Sequence, residues 1–169
     1  MKTLRKVVKG IDTFSLWLGN FVAFFVVFLI AITIYDITFR QFGLFTMWAF
    51  DVEWFTYAFI LMLAMGYSTY TRQHVRIDLI TVRFSPWFQE LIMALSYILI
   101  IIPLMVFIAI YGWHFAYKAY LIKEITLVAW GAPIWPIKFF IFIGCVLMLP
   151  QCFAELTRHI YFLVKKETL

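Results

Sequence analysis

The segment Thr13–Tyr35, TFSLWLGNFVAFFVVFLIAITIY, decides the class of protein to which this chain belongs. It contains 23 residues and no Asp, Glu, Lys or Arg. As an α-helix it would be about 34 Å long, which is enough to cross the hydrocarbon core of a bilayer. The run exceeds the apolar core of a signal peptide, and no clear A-x-A cleavage site follows it. We therefore expect a retained transmembrane helix.

Three further uncharged runs follow the first. The chain of 169 residues is 65% hydrophobic and only 14% charged, whereas a soluble domain carries about 25% charged residues. This composition excludes a soluble enzyme and a disordered chain. The runs are apolar on all sides and do not alternate as the strands of a membrane barrel do. They are Trp54–Thr71, Leu91–Tyr117 and Phe139–Ala154.

The sequence therefore predicts an all-α integral membrane protein with four transmembrane helices. We expect one domain over residues 1–169, with helices at about 13–39, 48–71, 86–117 and 134–157. Ten of the 14 Lys and Arg residues fall in segments on the side of the N-terminus. The positive-inside rule then places both termini and the second connection in the cytoplasm. The same rule accounts for the net charge of +5 without a nucleic-acid partner.

Residues 1–12 have two interpretations. Leu4, Val7, Val8 and Ile11 share one helical face, and four cations lie elsewhere on the segment. This pattern is typical of an interfacial amphipathic helix on anionic lipid. The alternative is an ordinary basic flank with no order of its own.

Residue spacing predicts local features within the first helix. Ser15, Gly19 and Ala23 form a row of small residues that lets another helix approach closely, within this chain or from a partner. Asp36 and Arg40 are four residues apart and can form an ion pair.

The third helix carries two prolines with different expected roles. Ser85 followed by Pro86 suits a helix start, because Ser caps well and Pro at the first position loses no hydrogen bond. Pro103 lies inside the helix, where it frees the carbonyl of Leu99 and should introduce a kink.

The four runs lack the residues that membrane chemistry requires. A charge at the bilayer centre costs about 2.5–3.5 kcal/mol even on a lenient scale and marks function when present. None is found in these runs, which argues against a voltage sensor or a proton-coupled exporter that works alone. His74, His114 and His159 do not lie at matched depths, as two axial haem ligands would. We therefore expect no cofactor, no metal site and no catalytic residue.

Two polar clusters flank the second helix. One cluster, at its predicted outer start, consists of Trp48, Asp51, Glu53 and Trp54. Acids there either favour the helix dipole or contact a partner. The other is Arg72–Asp78, RQHVRID, at the predicted cytoplasmic end. It is either a solvated basic loop or a hydrogen-bonded turn that docks a partner.

The order of these motifs resembles one known family. Glu53-Trp54 opens the second helix, which continues through Gly66-Tyr67 to Arg72 and then to His74-Val75-Arg76-Ile77-Asp78. This order resembles the small membrane subunit of tripartite ATP-independent periplasmic (TRAP) transporters. In that family a Trp and a Glu enter the second helix, and a His-Val-x-Val/Ile-Asp stretch follows it.

The resemblance continues between Trp113 and Gln151. Glu124, the stretch GAPIWPIK at 131–138 and Gly144 are similar to the branch named for mannitol or chloroaromatic compounds, and these names are poor guides to substrate. The two matching parts are about residues 40–90 and 111–151, whereas the first forty residues match only as a hydrophobic helix.

The resemblance implies a subunit role in the bacterial inner membrane and no enzymatic activity. In this family a large multi-helix subunit binds substrate and sodium and moves as an elevator. A periplasmic binding protein delivers the substrate, usually an organic acid, and the small subunit is the fixed scaffold. The implied partners are the large subunit, the binding protein and membrane lipid. The outer connections, at about residues 40–53 and 118–135, should help to dock the binding protein.

Eleven residues are the resulting candidates for structural or partner contacts. Glu53, His74, Arg76 and Asp78 match the family pattern directly. The full set is Arg40, Trp48, Asp51, Glu53, Arg72, His74, Arg76, Asp78, Glu124, Lys138 and Gln151.

Two alternatives remain open from the sequence. One is a haem- or quinone-linked membrane anchor of an oxidoreductase, and the other is a self-contained small exporter. The identity of the substrate does not follow from these residues.

Overall fold

The computed structural model describes residues 2–44, 46–71, 85–127 and 130–165, with side chains from residue 5 onwards. These ranges form four long helices and no strand. Each helix is long and apolar enough to cross a membrane, which confirms the predicted all-α fold with four spans. The helices are α1 (Lys2–Gln41), α2 (Met47–Tyr70), α3 (Pro86–Leu121) and α4 (Trp135–Lys165).

The N-terminal segment continues α1 without a break. Residues 2–12 are helical, as the amphipathic interpretation requires, but they are not a separate element. The 40 residues of α1 extend over about 60 Å, roughly twice the thickness of the hydrocarbon core. Asp12, at the junction, is tied to α4 by Arg158, so the first turns extend the bundle.

The helices pack side by side in the order α1, α2, α4, α3. α1 runs antiparallel to α2, α2 runs parallel to α4, and α3 runs antiparallel to α4. Close approach depends on glycine at two of these contacts. A Cβ on Gly19 would lie 2.4 Å from the ring of Tyr67, and one on Gly144 would lie 2.7 Å from the carbonyl oxygen of Met62. The row of small residues in α1 thus serves packing inside the chain at Ser15 and Gly19, whereas Ala23 is exposed.

This arrangement gives the bundle two distinct ends. The loop end carries the connections 42–46 and 122–134. The terminal end carries the start of α1, the end of α2, the start of α3 and the end of α4. The predicted placement of the terminal end in the cytoplasm remains a prediction.

The third helix contains a wide turn directly before Pro103. Tyr97–Ile101 forms a π-helical turn, in which the amide of Ile102 donates to the carbonyl of Tyr97. Pro103 has no amide hydrogen, and π turns are one of the recognised sources of helix bending. Ser85 and Pro86 begin the helix as predicted, although the Ser85 hydroxyl makes no capping hydrogen bond.

The apolar core lies between α3 and α4. Met105 and Ala109 of α3 pack against Cys145, Met148 and Cys152 of α4. Both cysteines are free thiols and are buried as small apolar side chains. Large apolar side chains cover much of the outer surface, for example Phe24 and Leu99, which are 74% and 67% exposed. Such a surface suits lipid or a membrane partner.

Candidate functional site

Asp36 joins the end of α1 to the start of α2. Its side chain is buried, and Arg40 lies 2.5 Å from Oδ2, so the pairing predicted from their spacing is present. The hydroxyl of Thr46 donates to Oδ1. Both carboxylate oxygens therefore have a donor, and the first connection is fixed at both of its ends.

Asp51 fixes the second loop of the same end. Its Oδ2 accepts a hydrogen bond of 2.9 Å from the hydroxyl of Thr126, and Asp51 is 3% exposed. The Thr126 hydroxyl oxygen also accepts from the amide of Ala132 at 3.1 Å. Backbone hydrogen bonds from Thr126 to Ala132 and from Ile134 to Glu124 close the loop like a small hairpin. The connection between α3 and α4 is thus anchored to α2.

Glu124 and Lys138 form an ion pair across the base of this loop. Lys138 Nζ lies 2.5 Å from Glu124 Oε2 and 4.0 Å from the ring centre of Phe115. The lysine side chain is only 12% exposed. The loop is therefore attached to the first turn of α4 as well as to α2.

Glu53 and the two tryptophans of the predicted outer cluster behave differently. Glu53 lines a cleft of about 410 Å³ between α1 and α2, together with Leu29, Thr33, Trp54 and Tyr57. Its Oε1 is buried and has no hydrogen-bond partner among the described residues. Trp48 is exposed and packs on the ring of Tyr35, with 5.7 Å between ring centres.

A second polar network lies at the terminal end. Gln151 is completely buried, and its side chain accepts from the Ser15 hydroxyl at 2.9 Å and donates to Asp12 at 3.1 Å. Arg158 donates to Asp12 and to Glu155, which is 1% exposed. These contacts fasten the start of α1 to α4, which are otherwise separated by α2.

His159 extends this network to α3. Its Nδ1 contacts Glu90 Oε2, and its ring packs on Tyr97 with 5.6 Å between ring centres. His159 is 3% exposed. The start of α3 is thus held against α4 beside the π turn.

Comparison with known families covers most of the chain. Residues 29–161 match the family described as "Tripartite ATP-independent periplasmic transporters, DctQ component". The chain belongs to the DctQ family. The match begins inside α1 and includes all of α2 and α3 and most of α4, so it supports the resemblance seen in the sequence. Neither the comparison with curated proteins nor the comparison with solved structures gave a match.

This DctQ protein is therefore a multi-pass membrane protein and a small subunit of a TRAP transporter. The DctQ family is a family of transporter components rather than of enzymes. Among the described residues, no group of three or more His, Cys, Asp or Glu could hold a metal ion. The polar residues of this subunit instead connect helices and loops to one another.

The structure separates the sequence-predicted candidates into three groups. The loop end holds six of them, of which Glu124 and Lys138 contact each other directly. Gln151 lies at the terminal end. The last four fall in residues 72–84, outside the described ranges, so the roles predicted for them stay predictions. They are Arg72, His74, Arg76 and Asp78.

Sequence reasoning missed most of the terminal-end network in this DctQ subunit. The sequence predicted a contact role for Gln151 alone, although Glu155, Arg158 and His159 follow it at spacings of four, three and one. These positions lie on one side of a helix, and this periodicity was the available signal. The partners on other helices have no local signal. The polar contacts missed are those of Asp12, Ser15, Glu90, Glu155, Arg158 and His159.

Proposed function

We propose that this DctQ subunit is the immobile scaffold of a sodium-driven importer of organic acids or related small solutes. The observation that carries the proposal is a set of ion pairs and hydrogen bonds that connect different helices at both ends of the bundle. Asp36 and Thr46 join α1 to α2, Arg158 joins α4 to α1, and His159 joins α4 to α3.

These ties support rigidity because of where they lie. Buried, charge-assisted hydrogen bonds are stronger than neutral ones, and breaking one partner of a buried pair costs about 3–5 kcal/mol. Fastening a row of helices at both ends resists both tilting and sliding of one helix against the next. A subunit built in this way is suited to hold a moving partner at a fixed depth.

We propose that the large membrane subunit is this partner. The outer faces of the row carry exposed large apolar side chains that lipid or another membrane protein must cover. The segment Arg72–Asp78 is proposed as a further subunit contact. With the terminal end in the cytoplasm of a bacterium, the complex lies in the inner membrane and the loop end faces the periplasm.

The anchored loop 122–134 is proposed as part of the docking surface for a periplasmic binding protein. Leu127 and Trp130 project from it and are 105% and 53% exposed. Asp51, Lys138 and the backbone hydrogen bonds hold the described residues on the two sides of this loop in place. A preformed loop loses little conformational freedom when it binds a partner.

Reconstitution tests this function. Proteoliposomes that contain the large subunit, the binding protein and this chain should take up an organic acid only with an inward sodium gradient. Omitting this chain should abolish uptake. Uptake by this chain alone would contradict the scaffold role and favour a self-contained exporter.

An absorbance spectrum tests the alternative of a haem-linked anchor. His159 already contacts Glu90, and His114 lies near the opposite end of the bundle. We therefore expect the purified chain to show no Soret band. A Soret band that disappears on mutation of His159 would favour the anchor instead.

A further inference from the structure

Glu53 holds a buried carboxylate oxygen that no residue in the described part of the chain satisfies. Oε1 accepts no hydrogen bond from any described residue. Buried side-chain polar atoms almost always have a partner, and a lone buried carboxylate oxygen is more costly than a neutral group. A specific donor from outside the chain is the simplest way to remove that cost.

The other acids of the loop end each have a partner within the chain. This contrast makes Glu53 the exception among the described acids there. The donors that bind these acids include the cations Arg40 and Lys138. Because they already bind other acids, they are not directed at Glu53. The pairs are Asp36 with Arg40 and Thr46, Asp51 with Thr126, and Glu124 with Lys138.

The cleft around Glu53 has room for a long side chain. Its volume is about 410 Å³, and its other walls are Leu29 and Thr33 of α1 and Trp54 and Tyr57 of α2. The Thr33 hydroxyl donates to the carbonyl of Leu29 at 2.9 Å, so its proton is not directed at the carboxylate. The walls therefore offer apolar contact but no donor from Thr33.

Two aromatic rings line the same cleft as Glu53. Trp54 and Tyr57 have ring centres 6.5 Å apart and an interplanar angle of 84°, and both side chains are about half exposed. Ring faces attract cations, and a guanidinium can lie flat on a ring while its N–H groups bond to a carboxylate. Carboxylate and rings together form a site for a planar cation.

We propose that this cleft receives an arginine side chain of the large membrane subunit. The inference rests on the proposed function, because it needs that subunit beside α1 and α2. An arginine suits the site better than a lysine because its forked donors match a carboxylate and its charge is less strongly hydrated. Glu53 lies six residues into α2, about 9 Å along the axis from Met47. This depth favours a side chain from a neighbouring helix over a lipid headgroup.

Co-purification of the complex tests the proposal. This chain, carrying an affinity tag, is expressed with its cognate large subunit, and the ratio of the two proteins is measured after detergent washing. Glu53→Gln keeps the size of the side chain but removes its charge, and it should lower the retained large subunit by at least about tenfold. The matched control Glu90→Gln removes an acid whose partner, His159, belongs to this chain, and it should leave the ratio unchanged.

Photocrosslinking gives a second measurement that does not require a Glu53 variant to fold. With p-benzoylphenylalanine in place of Tyr57, the intact complex should crosslink to a peptide of the large subunit that contains an arginine. Replacing that arginine by glutamine should lower retention as much as Glu53→Gln does. Crosslinking to lipid alone would overturn the proposal.

The proposed function and the arginine site can be contradicted separately. If the unaltered chain retains no large subunit, the proposed function fails. If the unaltered chain and the Glu53→Gln variant, both monodisperse, retain the large subunit equally well, only the arginine site is overturned.

Discussion

Asp12, near the start of α1, accepts a charge-assisted hydrogen bond from Arg158, near the end of α4. The two residues are 146 positions apart in the chain. Both side chains are largely shielded, with 15% and 18% exposure. Arg158 also contacts Glu155, so a single guanidinium holds two acids at the terminal end. The contact fixes the position of the N-terminal turns relative to the rest of the bundle.

Removing this contact should destabilise the subunit. Asp12→Ala should lower the free energy of unfolding by about 1–3 kcal/mol, because the Gln151 side chain loses its hydrogen-bond acceptor. Arg158 still pairs with Glu155, which limits the loss. Thermal unfolding of the purified protein measures the change. Thr13→Ala is the matched control, because its hydroxyl only bonds to the Lys9 carbonyl of the same helix. Equal melting temperatures for both variants would show that the pair adds nothing.

Gln151 should be intolerant of an apolar replacement. Gln151→Leu preserves bulk but leaves the Ser15 hydroxyl and one oxygen of Asp12 without their partner, at a cost of about 1–3 kcal/mol. Adding Ser15→Ala should recover part of this loss, because the unsatisfied hydroxyl is then gone. A double-mutant cycle on melting temperatures detects the coupling. Strictly additive effects would contradict a shared buried network.

The glycine contacts of α4 give a matched pair of substitutions. Gly144→Ala places a Cβ 2.7 Å from the backbone oxygen of Met62, so α2 and α4 must move apart. We expect a loss of about 1–3 kcal/mol, as for other overpacked sites. Gly112→Ala meets its nearest atom, in Ile141, at 3.4 Å and should be nearly neutral. If the two variants melted at the same temperature, the close packing of α2 on α4 would be contradicted.

The sequence predicted the spans and one ion pair correctly because both depend on local patterns. Uncharged runs long enough to cross a bilayer determine the helices, and i,i+4 spacing was enough to predict the pair of Asp36 and Arg40. The kink predicted at Pro103 stays a prediction. The structure places a π turn at Tyr97–Ile101, directly before Pro103, and this turn depends on backbone hydrogen bonds that no residue type specifies.

The order of the helices and the partners of buried polar residues could not be predicted. Asp12 and Arg158 lie 146 positions apart, and Asp51 and Thr126 lie 75 apart, so tertiary packing alone brings each pair together. The arrangement of residues 2–12 could not be predicted for the same reason. Their pattern allowed a surface helix, but they continue α1 without a break, and Asp12 pairs with Arg158 of α4.

Loosening the anchored loop should expose it to protease. Asp51→Ala removes the acceptor of the Thr126 hydroxyl, and a hydrogen bond worth about 1 kcal/mol corresponds to roughly a fivefold change in local opening. Trypsin should therefore cut after Lys123 several-fold faster in the purified complex. Cleavage after Lys165, at the opposite end, is the internal control and should not change. Unaltered cleavage after Lys123 would show that Asp51 does not hold the loop.

A distance measurement within the working complex tests the scaffold role most directly. Spin labels at Phe42→Cys and Leu127→Cys report on the two loops of the loop end, where both positions are exposed, and the native cysteines are buried. The distance between the labels is compared without ligand and with sodium plus a substrate-loaded binding protein. A rigid scaffold predicts one narrow distribution with the same mean in both states. A shift of the mean, or a second population that appears during transport, would contradict the immobile role.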